Sequence, residues 1–241
     1  VRSAVSLSES LPSNMSFSQF SNSLSNPNMN HALIATSETT DLLEPTSYKD
    51  AVSRNDRIEW EQAIQDEYDS ITAANTWTLV DLPAGREAIK CKWIFKLKRN
   101  AHGEIDRYKA RLVAKGFSQK EGVDYTDTFA PVVKFTSIRL LLAFGAYYDL
   151  EIHQLDVKTA FLNGSLEEDI YMVQPEGFAV KGKEHLVCKL NKSIYGLKQA
   201  SRQWYQKIDS VLVNMHFTRL ESDHCVYCAK LQDVILLVAL Y

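Results

Sequence analysis

From residue 89 to residue 114 the chain alternates apolar and charged positions, and a period of two admits one local structure. Ile89, Cys91, Trp93, Phe95 and Leu97 share one parity, while Lys90, Lys92, Lys96 and Lys98 share the other. Asn100, Ala101, His102 and Gly103 supply a turn, and a second run from 104 to 114 leads back. The pattern predicts a β-hairpin with one face for a core and one basic face. The window 86–120 holds eleven Lys or Arg and three acids, a charge of +8, so the rest of a chain of net charge −3 carries −11. Trp93, Phe95, Tyr108 and Phe117 interleave with these cations. Such a strip can hold phosphates by Coulomb attraction and counterion release. It can equally be a solvated face whose lysines block edge-to-edge strand pairing, and composition alone leaves the two open.

Composition excludes other classes. With 45% apolar and 24% charged residues, the chain is neither wholly disordered nor collagen-like. The longest apolar run, 234–241, has eight residues, against the roughly 20 that a membrane helix needs. No secretory leader is legible, and four cysteines, at 91, 188, 225 and 228, are too few and too scattered for a disulfide framework. The expectation is a soluble intracellular protein with reduced thiols. A first residue that is not Met and a last run with the composition of a buried strand further suggest an internal fragment of a longer chain.

Residues 1–30 contain ten Ser and five Asn without helical or strand period, so residues 1–43 are expected to be a disordered linker. Apolar positions at helical spacing predict a helix or pair of helices over 48–73, followed by a short strand at 77–80. Residues 136–148 are apolar and rich in helix formers, which predicts a buried helix. A strand is expected at 152–157 and another element from 158 to 163. Helical spacing resumes from about 200 to 215, and strands at 216–230 and 234–241 should flank a turn at 231–233. Helices and strands interleave without βαβ regularity, so the fold class is α+β.

Two smaller features carry chemistry. Asp156 ends the expected strand, where a carboxylate can reach a phosphate-bound Mg²⁺; the same residue can simply cap the next helix. Cys225 and Cys228 form a C-x-x-C beside His224, a possible zinc pair. On a strand, however, positions i and i+3 project to opposite faces, which favours structural cysteines.

Longer strings point further. KARLVAKGFSQ at 109–119, Asp124-Tyr125 with TFAPV at 128–132, QLDVKTAFLNG at 154–164, IYM at 170–172 with QPEGF at 174–178, and YGLKQA at 195–200 resemble, in order, the reverse transcriptases of copia-type LTR retrotransposons. The resemblance runs from about Glu44 to Tyr241, and residues 1–43 would match the linker that follows the integrase in such Pol polyproteins. It implies a right-hand polymerase with fingers at about 44–133 and 165–198 and a partial palm at about 134–164 and 199–241, ending before the thumb. Asp156 would be the first catalytic carboxylate, a ligand of both Mg²⁺ ions with Val157 beside it. Phe161 would be the aromatic gate against a 2′-OH. Lys109 and Arg111 would hold the triphosphate, the hairpin register leaving open which of them leads. Gln199 would touch the nucleotide, and Lys115, Gly196 and Lys198 the template–primer. The implied partners are an RNA or DNA template–primer, deoxynucleoside triphosphates and the other Pol regions (integrase, RNase H), with no membrane. The implied setting is a cytoplasmic virus-like particle, with the nucleus as second address.

Two departures accompany the resemblance. Serine stands at 201, where the family commonly has proline. The family's Tyr-x-Asp-Asp hairpin follows an apolar strand; here that strand is 234–240, Tyr241 takes the tyrosine's place, and no Asp-Asp pair follows within the 241 residues. With one of three carboxylates, the chain alone is expected to lack polymerase activity. The alternatives are a non-catalytic nucleic-acid-binding module and a transposon relic without function.

Overall fold

The computed structural model describes residues 43–231 and 234–241. The linker expected over 1–43, Leu43 apart, and the centre of the turn at 232–233 lie outside them. The helical stretch before the hairpin is a pair, α1 (Tyr48–Ser53) and α2 (Arg57–Ala73). Ser47 opens α1 by accepting the Asp50 N–H at 3.2 Å, a side-chain cap that satisfies one of the first turn's free amides. Asp56 separates the two helices, its carboxylate taking the Trp60 indole N–H at 3.0 Å and Arg54 Nε at 3.2 Å. α2 buries Trp60, Ala63, Ile64 and Ile71.

The hairpin forms as β2 (Cys91–Arg99) and β3 (Ile105–Ala114), antiparallel, with Trp93 opposite Leu112 and Phe95 opposite Ala110. Its apolar face lies on α2, where Trp60 meets Phe95 edge-on at 5.3 Å and Tyr108 at 4.6 Å. A second antiparallel sheet has the order β1-β5-β4, from β1 (Trp77–Val80), β5 (Val187–Lys192) and β4 (Ser165–Met172). Ile89 joins the two by a parallel bridge to Met172. Between them lies one core, in which Leu112, Ile170, Met172, Cys188 and Ile194 are fully buried.

A separate group contains α3 (Phe135–Tyr147), α4 (Ala200–Asn214) and an antiparallel sheet of β6 (Thr218–Leu220), β7 (Asp223–Leu231) and β8 (Val234–Ala239). The strand expected over 216–230 is thus two strands with a turn between. Leu212, Phe217, Tyr227 and Ala229 form one small cluster, and Val133, Cys225 and Val226 another. Asp223 starts α3 by accepting the Lys134 N–H at 2.8 Å and the Ser137 hydroxyl at 2.6 Å. Cys225 is buried, while Cys228 lies opposite Thr218 and Leu237 with the other parity.

Two expectations are corrected. α3 is a helix but not a buried one: among its residues only Gly145 is buried, while Phe135, Leu140 and Tyr147 are exposed. Residues 152–157 do not form a strand, because no described strand pairs with them. A strand exists by virtue of its ladder, and apolar composition cannot supply one. Residues 158–163 tighten into a short 3₁₀ turn, Ala160–Asn163. β4 and β5 had no counterpart in the sequence reading. No helix among the described residues is long and apolar enough to cross a membrane.

Candidate nucleotide and nucleic-acid interface

The outer face of the hairpin follows from its register. Ile94 lies opposite Arg111, Lys96 opposite Lys109 and Lys98 opposite Arg107. Two like-charged pairs thus face each other directly, an arrangement that destabilises a sheet unless an anion relieves it. One relief is internal: the Glu44 carboxylate sits 2.9 Å from the Lys96 ammonium and takes the Leu97 N–H at 3.0 Å. Lys109 makes no such ion pair among the described residues, and only the more distant Glu67 acts in its favour. Burial, and then the repulsion of Arg111, Arg107 and Lys98, push its ammonium below the usual lysine range.

Glu67, on α2, reaches the free edge of β3 and accepts the Leu112 N–H at 3.3 Å. Burial pushes its carboxyl up, against the pull of that hydrogen bond and of Arg111 and Lys109. It therefore ties helix to hairpin directly beneath the cations. Sequence reasoning missed it, since an acid on an amphipathic helix carries no sign of what lies beyond its tip.

Arg111 is held differently. Its guanidinium lies 4.8 Å above the Tyr195 ring, and Phe161 meets the same ring edge-on at 4.9 Å. Among the described residues its buried Nε finds no hydrogen-bond partner, which is costly. Tyr195, which carried no role in the sequence reading, is what brings Arg111 and Phe161 together.

The loop that carries Tyr195 is clamped to the end of the hairpin. The Ala114 N–H donates to the Tyr195 carbonyl at 2.8 Å. Gly116 and Gly196 pack face to face: a Cβ on Gly116 would fall 2.0 Å from the Gly196 carbonyl oxygen, and one on Gly196 2.1 Å from that of Ala114. Gly196 also has φ +91°, which L side chains rarely adopt. Gln119 completes the clamp, its amide donating to Gln199 Oε1 at 3.0 Å and its oxygen accepting the Lys198 N–H at 2.8 Å. Gln199 is fully buried and gives its own N–H to the Asp124 carbonyl at 2.8 Å. Its amide is thus spent within the protein. Lys198 lies 4.4 Å from the centre of the Tyr125 ring and donates to that hydroxyl at 2.8 Å.

Asp156 and Val157 stand apart from this assembly. Both are exposed on the unpaired segment, where Gln154 donates to the Tyr241 hydroxyl. Thr159, between Asp156 and Phe161, adopts φ +52°, a strained conformation for a β-branched residue. An exposed carboxylate is a suitable hard donor for Mg²⁺. Among the described residues, though, no group of three or more His, Cys, Asp or Glu converges on one point, so the residues present do not assemble a two-metal site.

Residues 74–241 match the family model of reverse transcriptase (RNA-dependent DNA polymerase). The chain is 53% identical over 190 residues to the retrovirus-related Pol polyprotein from transposon TNT 1-94 of Nicotiana tabacum, covering 79% of this chain and 14% of that one. It is 43% identical over 183 residues to the Pol polyproteins from transposons RE1 and RE2 of Arabidopsis thaliana, covering 76% of this chain and 12% and 13% of theirs. No solved structure matches.

Proposed function

The chain belongs to the reverse transcriptase (RNA-dependent DNA polymerase) family, and on that premise we propose that it is the fingers and partial palm of a Pol polyprotein polymerase that adds deoxynucleotides to a primer. The observation that carries the reading is the contact series Arg111–Tyr195–Phe161. It joins a triphosphate-binding cation to the residue that discriminates the sugar. Phosphoryl transfer asks a protein mainly for positioning and for cations near the developing charge. The Arg111 guanidinium held over the Tyr195 ring supports Arg111 as the leading triphosphate contact, and Lys109 adds a second positive charge from the same strand face. Phe161, packed on Tyr195, would close the space beside C2′ by steric exclusion. Mg²⁺, when bound, would polarise the phosphoryl group, and Asp156 with Val157 would be this chain's contribution to holding it.

The division into fingers and palm finds support in the cores. One cluster draws on residues 51–114 and 162–200, the other two on 133–141 and 205–240, close to the expected boundaries. Template–primer, deoxynucleotides and the other Pol regions are the partners on this reading, and Asp156 alone leaves the 241 residues inactive by themselves. Two preparations test it: this chain alone, and the tobacco Pol polyprotein with its 190 matching residues replaced by this chain's. The expected result is primer extension by the chimera, none by the chain, and loss in the chimera on Asp156→Asn. A chimera that binds primer–template but never extends it would favour the second reading, a non-catalytic binding module, since the cationic face is complete without Asp156.

A further inference from the structure

Glu67 breaks the pattern of its own helix. The buried residues of α2 are Trp60, Ala63, Ile64 and Ile71. Position 67 lies seven, four and three residues after the first three and four before the last, the spacing of one helix face. A carboxylate therefore stands within the apolar stripe on which the hairpin rests.

The hairpin is a two-stranded sheet, so each strand has an outer edge, and a glutamate closes each of them. On β2, Glu44 accepts the Leu97 N–H at 3.0 Å and pairs with Lys96 at 2.9 Å. On β3, Glu67 accepts the Leu112 N–H at 3.3 Å. The two charges act on the fold in opposite directions. The Lys96 hydrogen bond holds the Glu44 carboxyl below its ordinary value, so that charge stabilises the folded state. Burial pushes the Glu67 carboxyl up in spite of Leu112, Arg111 and Lys109, so that charge opposes folding. A glutamine at 67 would offer Leu112 the same kind of acceptor with no charge to bury. The hydrogen bond thus accounts for an acceptor at 67, and the charge has no use in the fold.

Arg111 and Lys109 are the cations on which that charge acts, and they are the pair assigned above to the triphosphate. In each addition the primer's 3′ oxygen bonds to the α-phosphorus as its hydroxyl proton is lost. The α–β P–O bond breaks, and its electron pair leaves on pyrophosphate. Cations that hold the two outer phosphates of the substrate therefore hold the product as well. Uniform binding of that kind adds nothing to the chemical step, and it delays release. A fixed negative charge beside the cations weakens both holds.

We propose that Glu67 is a positioning residue that sets the net charge of the triphosphate face, keeping the hold of Arg111 and Lys109 weak enough for pyrophosphate to leave. The inference rests on the polymerase reading above and adds the residue that limits product binding.

The first test is isothermal titration calorimetry of inorganic pyrophosphate into the 241-residue chain, at neutral pH and without Mg²⁺. Glu67→Gln should tighten binding about 3- to 10-fold, the scale of removing one partly screened like charge. Its urea midpoint should not fall below the parent's, because the acceptor for Leu112 is retained. Glu67→Met, which loses the hydrogen bond as well, should tighten binding equally. Asp66→Asn, the same loss of charge at the exposed neighbouring residue, should change it by less than about twofold. Equal pyrophosphate binding by the parent and Glu67→Gln would overturn the proposal, as would no measurable binding by either. In the chimera, Glu67→Gln should lower the KM for deoxynucleotide and the half-inhibiting pyrophosphate concentration by the same factor without raising kcat. A merely structural glutamate would raise KM instead, and that result would also overturn it. Tightened pyrophosphate binding beside a chimera that never extends removes the polymerase and keeps the charge-setting role. Extension with binding unmoved by Glu67→Gln removes the role and keeps the polymerase.

Discussion

The half of the molecule built on the hairpin and the half built on α3 are both rich in apolar residues, yet they treat them in opposite ways. In the first, Trp60, Leu112, Ile170 and Met172 are buried, and the outer face of the hairpin carries Lys96, Lys98, Arg107, Lys109 and Arg111. In the second, Phe135, Leu140, Tyr147, Leu155 and Ile235 are each more than 60% exposed. Composition is not the difference; what packs against each apolar face is. β2 finds its ladder across a five-residue turn, and once paired it has a flat apolar face to lay on α2. Residues 152–157 have no described strand beside them, so the apolar residues near them have no sheet to pack against. Exposed apolar area on this scale marks a surface made for further contact, in keeping with a chain that spans 12–14% of the length of the Pol polyproteins it matches.

The contrast can be broken by substitution. Trp60→Ala, which removes the ring at the centre of the first half, should destabilise by about 3–5 kcal/mol in urea unfolding. A loss under about 1 kcal/mol would mean that the first half is as loosely packed as the second. Gly196→Ala comes next. The new Cβ meets the Ala114 carbonyl in a backbone conformation L residues avoid, and the expected cost is about 3 kcal/mol from strain and displacement together. Its diagnostic sign is loss of the Arg111–Tyr195 contact, read as a changed Tyr195 environment by nuclear magnetic resonance.

Acid should act oppositely on the two halves. Burial raises the Glu67 carboxyl, so in the folded state it takes up a proton at higher pH than in the unfolded chain. Its ionisation therefore removes stability as pH rises above about 4.5, the ordinary value, and acidification gives that stability back. The hydrogen bonds from Ser137, Lys134 and Cys225 hold the Asp223 carboxyl low. Its contribution is present above the ordinary value of 3.8 and lost as pH falls through its lowered one. Amide exchange at descending pH should show α3 opening at its Lys134 end while α2 and β3 stay protected. Glu67→Gln should abolish the gain in the first half and leave the loss in the second. The smallest effect is expected for Leu155→Ala, within about 0.5 kcal/mol of the parent, because the side chain is 86% exposed. A larger cost would mean that the segment has a partner after all.

How much of this was legible beforehand varied with the range of the forces involved. The hairpin could be read to within a residue or two, because alternation and turn chemistry act over neighbours. α3 could be read as a helix for the same reason, but its burial could not, since burial belongs to whatever packs against it. β4 and β5 went unseen: Ser165–Met172 mixes three acids with its apolar residues, and only pairing with β5, itself held by β1, makes a strand of it. Among the site residues, the motif strings pointed to Arg111, Phe161 and the 195–200 loop. Glu67 and Gln119 were invisible, because their roles depend on partners 45 and 80 residues away.

By itself the sequence determined the family, the α+β class, the cationic hairpin and the candidate residues, all consequences of local pattern or of shared strings. Tertiary structure decided which of those residues meet. Lys109 and Arg111 are equivalent as letters on one strand face, and they differ only because Tyr195, brought in by the Gly116–Gly196 clamp, lies under the guanidinium. Contacts between residues far apart in the chain depend on how closely two backbones can approach, and no reading of neighbours contains that distance.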